Sequence, residues 1–231
     1  MASPEPLRKS APCRLIAVGG HTRSIGKTQL VCDLIAALPQ ANWLAGKITQ
    51  YGHGVCATNG HDCDCAPTEH IVALDWESEM QSGTDSARFL QAGAARSFWL
   101  RTKQGYLAEG MAPFRQALAD ATQANGSDGI NVIVESNSLM QFVKPSLYVM
   151  VLDPARDDFK DSARQILDRA DVFVFRRGLD EGAVSQPPWM QLPRQLLRQK
   201  PSVLQREGEP LPEALLQLVT RILESPAIVS L

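Results

Sequence analysis

The chain has 231 residues, 44% hydrophobic and 21% charged, with a formal net charge of −2. That length suits one large domain or one domain with appendages and buries a core without disulfides, and the near-neutral charge, with Lys and Arg scattered, gives no general attraction to nucleic acid. No apolar run approaches the ~20 residues that span a bilayer, and residues 1–13 read as a flexible leader without a signal peptide's apolar middle, so a cytoplasmic protein with no membrane or nucleic-acid partner is expected.

In chain order, an apolar run at 14–18 predicts the first strand. It is followed by Gly20-His21-Thr22-Arg23-Ser24-Ile25-Gly26-Lys27-Thr28 and then by a helix over 27–38. Further strands are expected at 43–48, 95–100, 131–135, 147–152 and 172–175, and helices at 85–92, 111–124, 160–169 and 212–223. Several of the strands are continuous apolar runs, as in a parallel sheet covered on both faces. The alternation therefore predicts an α/β fold, a doubly wound, mainly parallel sheet with helices on both faces. Two stretches break the pattern: a long insertion at about 51–84, and a Gln-, Pro- and Arg-rich segment from 179 to 231. The nucleotide-binding domain is assigned to 14–178 and the final segment is read as ancillary.

Strand, glycine-bounded loop, Gly-Lys-Thr and helix form the context of a phosphate-binding loop. The loop amides turn inward and the helix adds the positive end of its dipole. Residues 20–28 would cradle the phosphates of ATP or GTP, with Lys27 on the β- and γ-phosphates and the Thr28 hydroxyl on Mg²⁺. The spacing is G-x5-G-K-T, one residue longer than the common pattern. It resembles the loop of dethiobiotin synthetase and related SIMIBI-class P-loop proteins.

A second carboxylate partner is expected at a strand end, where α/β sheets bind ligands. Ile130-Asn131-Val132-Ile133-Val134-Glu135 supplies Glu135 as a Mg²⁺ ligand, direct or through water. The resemblance to SIMIBI synthetases implies a similar Val-Glu-Gly here, with Ser136 in place of the glycine, and a lysine matching Lys47 facing the γ-phosphate or an acceptor. Gly83-Thr84-Asp85-Ser86-Ala87-Arg88 through Ala92-Gly93-Ala94 resembles the Lys-Asp-Ser-x-Arg…Ala-Gly-Ala stretch of the B protein of molybdopterin–guanine dinucleotide biosynthesis, a GTP-binding SIMIBI protein. That resemblance spans roughly 14–155 and implies a nucleotide-contacting role for Asp85. Asp171 to Arg177 stands where GTP-binding relatives carry Asn-Lys-x-Asp; Arg176-Arg177 replaces it. ATP and GTP both stay open, with ATP favoured.

The insertion holds His53, Cys56, His61, Cys63 and Cys65, with His70 just beyond. Thiols and imidazoles so close together offer soft ligands for a closed four-coordinate site. Cys56, Cys63 and Cys65 would bind zinc, or an iron–sulfur cluster, with His53, His61 or His70 completing the set. Cys13 and Cys32 are read as buried structural residues.

Three functions fit these features. The first is a Mg²⁺-dependent NTPase or NTP-dependent synthetase acting on a small acceptor in cofactor biosynthesis or maturation. Its working residues would be Lys27, Thr28, Glu135 and Lys47, positioning and neutralising charge. The second is a metallochaperone-type switch delivering a metal or cluster to a metalloenzyme client, by analogy with nickel-delivery NTPases of the same class. The third is a regulatory nucleotide-binding protein without chemistry of its own. The class resemblance implies a homodimer, with Arg23 able to act in cis or across the interface.

Overall fold

The computed structural model describes residues 12–51, 70–125, 130–179, 189, 191–192 and 194–227. Its strands are β1 (Cys13–Gly20), β2 (Leu44–Tyr51), β3 (Val72–Trp76), β4 (Arg96–Lys103), β5 (Ile130–Glu135), β6 (Leu147–Leu152), β7 (Val172–Phe175) and β8 (Ser202–Leu204). They form one eight-stranded sheet in the order β3-β4-β2-β5-β1-β6-β7-β8. Only the β3–β4 pair is antiparallel. Helices bounded within the described residues are α1 (Lys27–Ala37), α2 (Asp85–Gln91), α3 (Leu107–Asn125), α4 (Asp161–Arg164), α5 (Arg194–Gln199) and α6 (Glu213–Glu224). The fold is α/β, a doubly wound and mainly parallel sheet.

Side chains of β1 alternate between the two faces, as the strand period requires. Ile16 and Val18 join the cluster built with Leu30, Leu34 and Leu215 from α1 and α6. Cys13 and Leu15 join Phe114 and Leu118 of α3 on the opposite face. Ala17 meets a third cluster with Tyr148, Phe159 and Phe173. The central strands are buried on both faces, which explains their near-continuous apolar runs. Burial pushes the Cys13 thiol up to about 12 and the Cys32 thiol up to about 11, so both pack as small apolar groups.

Four expectations change. The later part of the insertion at 51–84 contributes a strand absent from the expected set, the edge strand β3, whose five half-exposed or exposed residues lack a buried run. The helix expected at 160–169 breaks after α4 into a 3₁₀ turn, with hydrogen bonds moving to three-residue spacing at Ile166 to Ala163 and Arg169 to Ile166. The helix expected from 111 begins at Leu107 and passes through Pro113. The segment after 178 enters the sheet through β8, paired with β7, and reaches the core through Leu215 and Val219 of α6. Among the described residues no helix is long and apolar enough to cross a membrane.

Candidate functional site

Strand order positions the site. β1 lies between β5 and β6, so the loop leaving its C-terminal end opens over the crevice where neighbouring strands also end. The register sets Val18 beside Glu135 on one side of β5 and Lys47 beside Glu135 on the other. Abreast residues of parallel strands point to the same face, so the carboxylate and the ammonium meet.

The loop from Gly20 to Thr28 is held at several points. Asn137 accepts from the Gly20 amide at 2.8 Å and donates to the Gly20 carbonyl at 2.7 Å. The His21 amide donates to Val151, and the Lys160 amide donates to the His21 carbonyl at 3.1 Å. The Thr22 hydroxyl is bonded to Asp158. At the far end Gly26 adopts φ 83° as it caps α1, a left-handed conformation that favours glycine. Arg176 donates to the carbonyls of Ile25 and Gly26.

At the mouth of the loop the Thr28 hydroxyl donates to Glu135 Oε2 at 2.6 Å. Lys47 Nζ lies 3.3 Å from Glu135 Oε1 and is also paired with Asp85. Burial pulls the Lys47 ammonium down, but Glu135 and Asp85 outweigh it and the net direction is upward, so Lys47 stays charged. Lys27 Nζ donates to the Thr22 carbonyl at 2.6 Å. Burial lowers its pKa to about 8, against the pull of Glu135.

Asp85 is the first residue of α2 but not its cap. Thr84 performs that role, accepting from the Ala87 amide at 3.1 Å. This leaves the Asp85 carboxylate to meet Lys47, with Arg88 Nη1 at 3.7 Å. Gly20, Thr22, Arg23, Ser24, Ile25, Gly26, Lys27, Thr28, Lys47, Asp85 and Glu135 therefore share one cleft.

His21 does not present its side chain there. Its ring is fully buried, 5.0 Å from Phe159 and 5.2 Å from Trp189. With its ring packed in the core, only the His21 backbone serves the loop. Residues 52–69 lie outside the described residues, and with them Cys56, His61, Cys63 and Cys65. His70 is exposed, and its carbonyl accepts from the Tyr51 hydroxyl.

The Gly20–Thr28 loop leaves the end of β1 with the Glu135 carboxylate beside it. No protein-family model matches the sequence, and no curated protein matches it. Among solved structures, HypB from Helicobacter pylori in complex with nickel is similar over 92% of this chain and 86% of its own, at 14% identity and a TM-score of 0.47. That likeness is too distant to assign function.

Sequence reasoning missed Asn137, Asp158, Arg176 and Gln205. Asn137 had a local signal, a polar Ser-Asn-Ser directly after a buried strand. The other three had none, because their partners are distant along the chain.

Proposed function

We propose that this protein binds a Mg²⁺–nucleoside triphosphate over the Gly20–Thr28 loop and catalyses phosphoryl transfer or hydrolysis in cofactor biosynthesis or maturation. The observation that carries the reading is the Thr28–Glu135–Lys47 cluster, set by strand register at the mouth of the loop. A hydroxyl and a buried carboxylate form a hard, all-oxygen donor pair that suits Mg²⁺. When bound, the ion would neutralise charge on the transferring phosphoryl group. Thr28 and Glu135 would hold it. Lys27 would exchange the Thr22 carbonyl for the β- and γ-phosphates, and Lys47 would add fixed positive charge toward the acceptor side.

The cleft, about 1780 Å³, exceeds the roughly 300–1,000 Å³ of an ordinary small-molecule pocket, which leaves room for an acceptor beside the nucleotide. ATP is favoured because Arg176-Arg177 stand where a guanine-reading Asn-Lys-x-Asp would be. The Asp85-Ser86-x-Arg88 resemblance to the molybdopterin–guanine dinucleotide B protein supports the cofactor setting. A homodimer and a cytoplasmic location belong to the same proposal.

Calorimetric titration with Mg·ATP and Mg·GTP tests it. Micromolar binding of one nucleotide, lost in Lys27→Ala, supports the reading, and no binding of either overturns it. Metal delivery is the second reading, favoured by the three thiols Cys56, Cys63 and Cys65 within ten residues. Elemental analysis of anaerobically purified protein separates the two. A stoichiometric metal released on adding nucleotide supports delivery, and no metal removes it.

A further inference from the structure

We propose that Arg176 is a positioning residue that sets the shape of the phosphate loop before any ligand arrives, a role that rests on the nucleotide reading above. A phosphate cradle needs its amides turned inward, which turns carbonyls outward, and each outward carbonyl needs a partner of its own. Arg176 Nε donates to the Ile25 carbonyl at 3.2 Å, and Nη2 donates at 2.6 Å to the Gly26 carbonyl, which also accepts the first α1 bond from the Leu30 amide at 2.9 Å. The guanidinium lies flat against Gly26: a Cβ there would stand 2.8 Å from Nη2. One planar fork thus spans two consecutive loop carbonyls at the point where the backbone takes φ 83° and enters α1.

The fork is itself held. Its Nη1 donates to Gln205 Oε1 at 2.7 Å and to the Gln205 carbonyl at 3.3 Å. Gln205 is 1% exposed. Its amide donates to Phe175 at 2.9 Å, and its Nε2 to Asp33 Oδ2 in α1 at 3.3 Å. The Arg176 amide donates to Leu152 at 2.8 Å. The loop is therefore tied, through one side chain, to the ends of β6, β7 and β8 and to the helix it feeds. Freezing a binding loop in its bound shape gains affinity by removing the ordering cost. A lysine's three donors radiate from one nitrogen, so it cannot reproduce a planar fork that reaches both carbonyls and Gln205 from three separate nitrogens.

The test compares wild type with Arg176→Lys and Arg176→Ala, using Mg²⁺ with inorganic triphosphate as the probe. Two further readouts are the thermal midpoint and hydrogen exchange of the first hydrogen-bonded amides of α1 in ligand-free protein, beginning with Leu30, which donates to the Gly26 carbonyl at 2.9 Å. Arg176→Lys is expected to stay folded with a midpoint only a few degrees below wild type, to bind triphosphate about tenfold more weakly, and to exchange those amides faster. Unchanged affinity with unchanged exchange in Arg176→Lys overturns the proposal. So does weaker binding in which exchange rises across the whole sheet rather than at the loop. If Arg176→Ala fails to fold, Arg176→Lys alone decides. Wild type that binds neither triphosphate nor nucleotide sinks the nucleotide reading instead, while exchange at the start of α1 still reports on the tie.

Discussion

The Thr28 hydroxyl donates to Glu135 Oε2 at 2.6 Å, across 107 residues of sequence. Both groups are oxygen donors at the mouth of the same loop, and Glu135 is only 5% exposed. Replacing Glu135 with Gln keeps shape and removes the charge. Mg²⁺-dependent phosphate release is expected to fall by about 10²–10³-fold with the fold retained. Thr28→Ala should lose a comparable amount and also demand more Mg²⁺. Steady-state phosphate release across a Mg²⁺ series measures both; a Glu135→Gln variant with wild-type turnover would remove Glu135 from the site.

Lys27 gives the site a pH signature. The folded protein releases this proton near 8, whereas the unfolded chain holds it to 10.5. The unfolded state therefore binds more protons between those values, and ligand-free stability should rise with pH across that window as the cost of burying the charge disappears. Phosphate binding needs the charged form, so triphosphate affinity should fall above pH 8, by up to about tenfold per unit. Titrations at pH 7, 8 and 9 check the slope, and Lys27→Met should flatten it.

His21 acts on the acid side. Burial holds its imidazole down to about 4, with the Val151 carbonyl, Asp158 and Asp153 pulling weakly upward and Lys27 adding to the depression. Neither ring nitrogen makes a well-formed hydrogen bond among the described residues. The unfolded chain takes up the proton near 6.5 and the folded one near 4. Stability is then lost as pH falls through that interval, by about 3 kcal/mol. His21→Phe keeps the aromatic packing and should remove this part of the acid slope, as read from urea midpoints at pH 7 and 4.5.

Gly46 lies abreast of Phe98 in the adjoining strand, and a Cβ there would overlap the Phe98 ring. Gly46→Ala forces that ring or β2 to shift and is expected to cost about 1–3 kcal/mol. Because Lys47 is the next residue, the shift should also weaken its hold on Glu135. Denaturant unfolding and phosphate release, measured on the same variant, should fall together.

Much of this protein is legible in its sequence because the information is local. A buried strand, a nine-residue loop bounded by Gly20 and Gly26, and a Gly-Lys-Thr opening a helix are adjacent in sequence, so the loop could be located from a short stretch alone, although Ser24 inside it takes a left-handed φ of 51° without being glycine. Buried runs likewise disclose the central strands, since residues covered on both faces leave no polar alternation to confuse them. The edge strands β3 and β8 escaped, being short and half-exposed, with pairing that comes from neighbours rather than from their own pattern. The strand-end position already marked Glu135, but tertiary structure alone decided the contacts it makes and that Asn137, Asp158 and Arg176 hold the loop. Strand order brings β5 between β1 and β2, so Glu135 meets Thr28 and Lys47; it brings the end of β7 behind the loop, so Arg176 meets Gly26 across 150 residues. It also turned the His21 ring into an aromatic pocket with Phe159 and Trp189 rather than into the cleft. Hydrogen-bond partners separated by whole strands are chosen by register and packing, and neither is written in any short stretch of sequence.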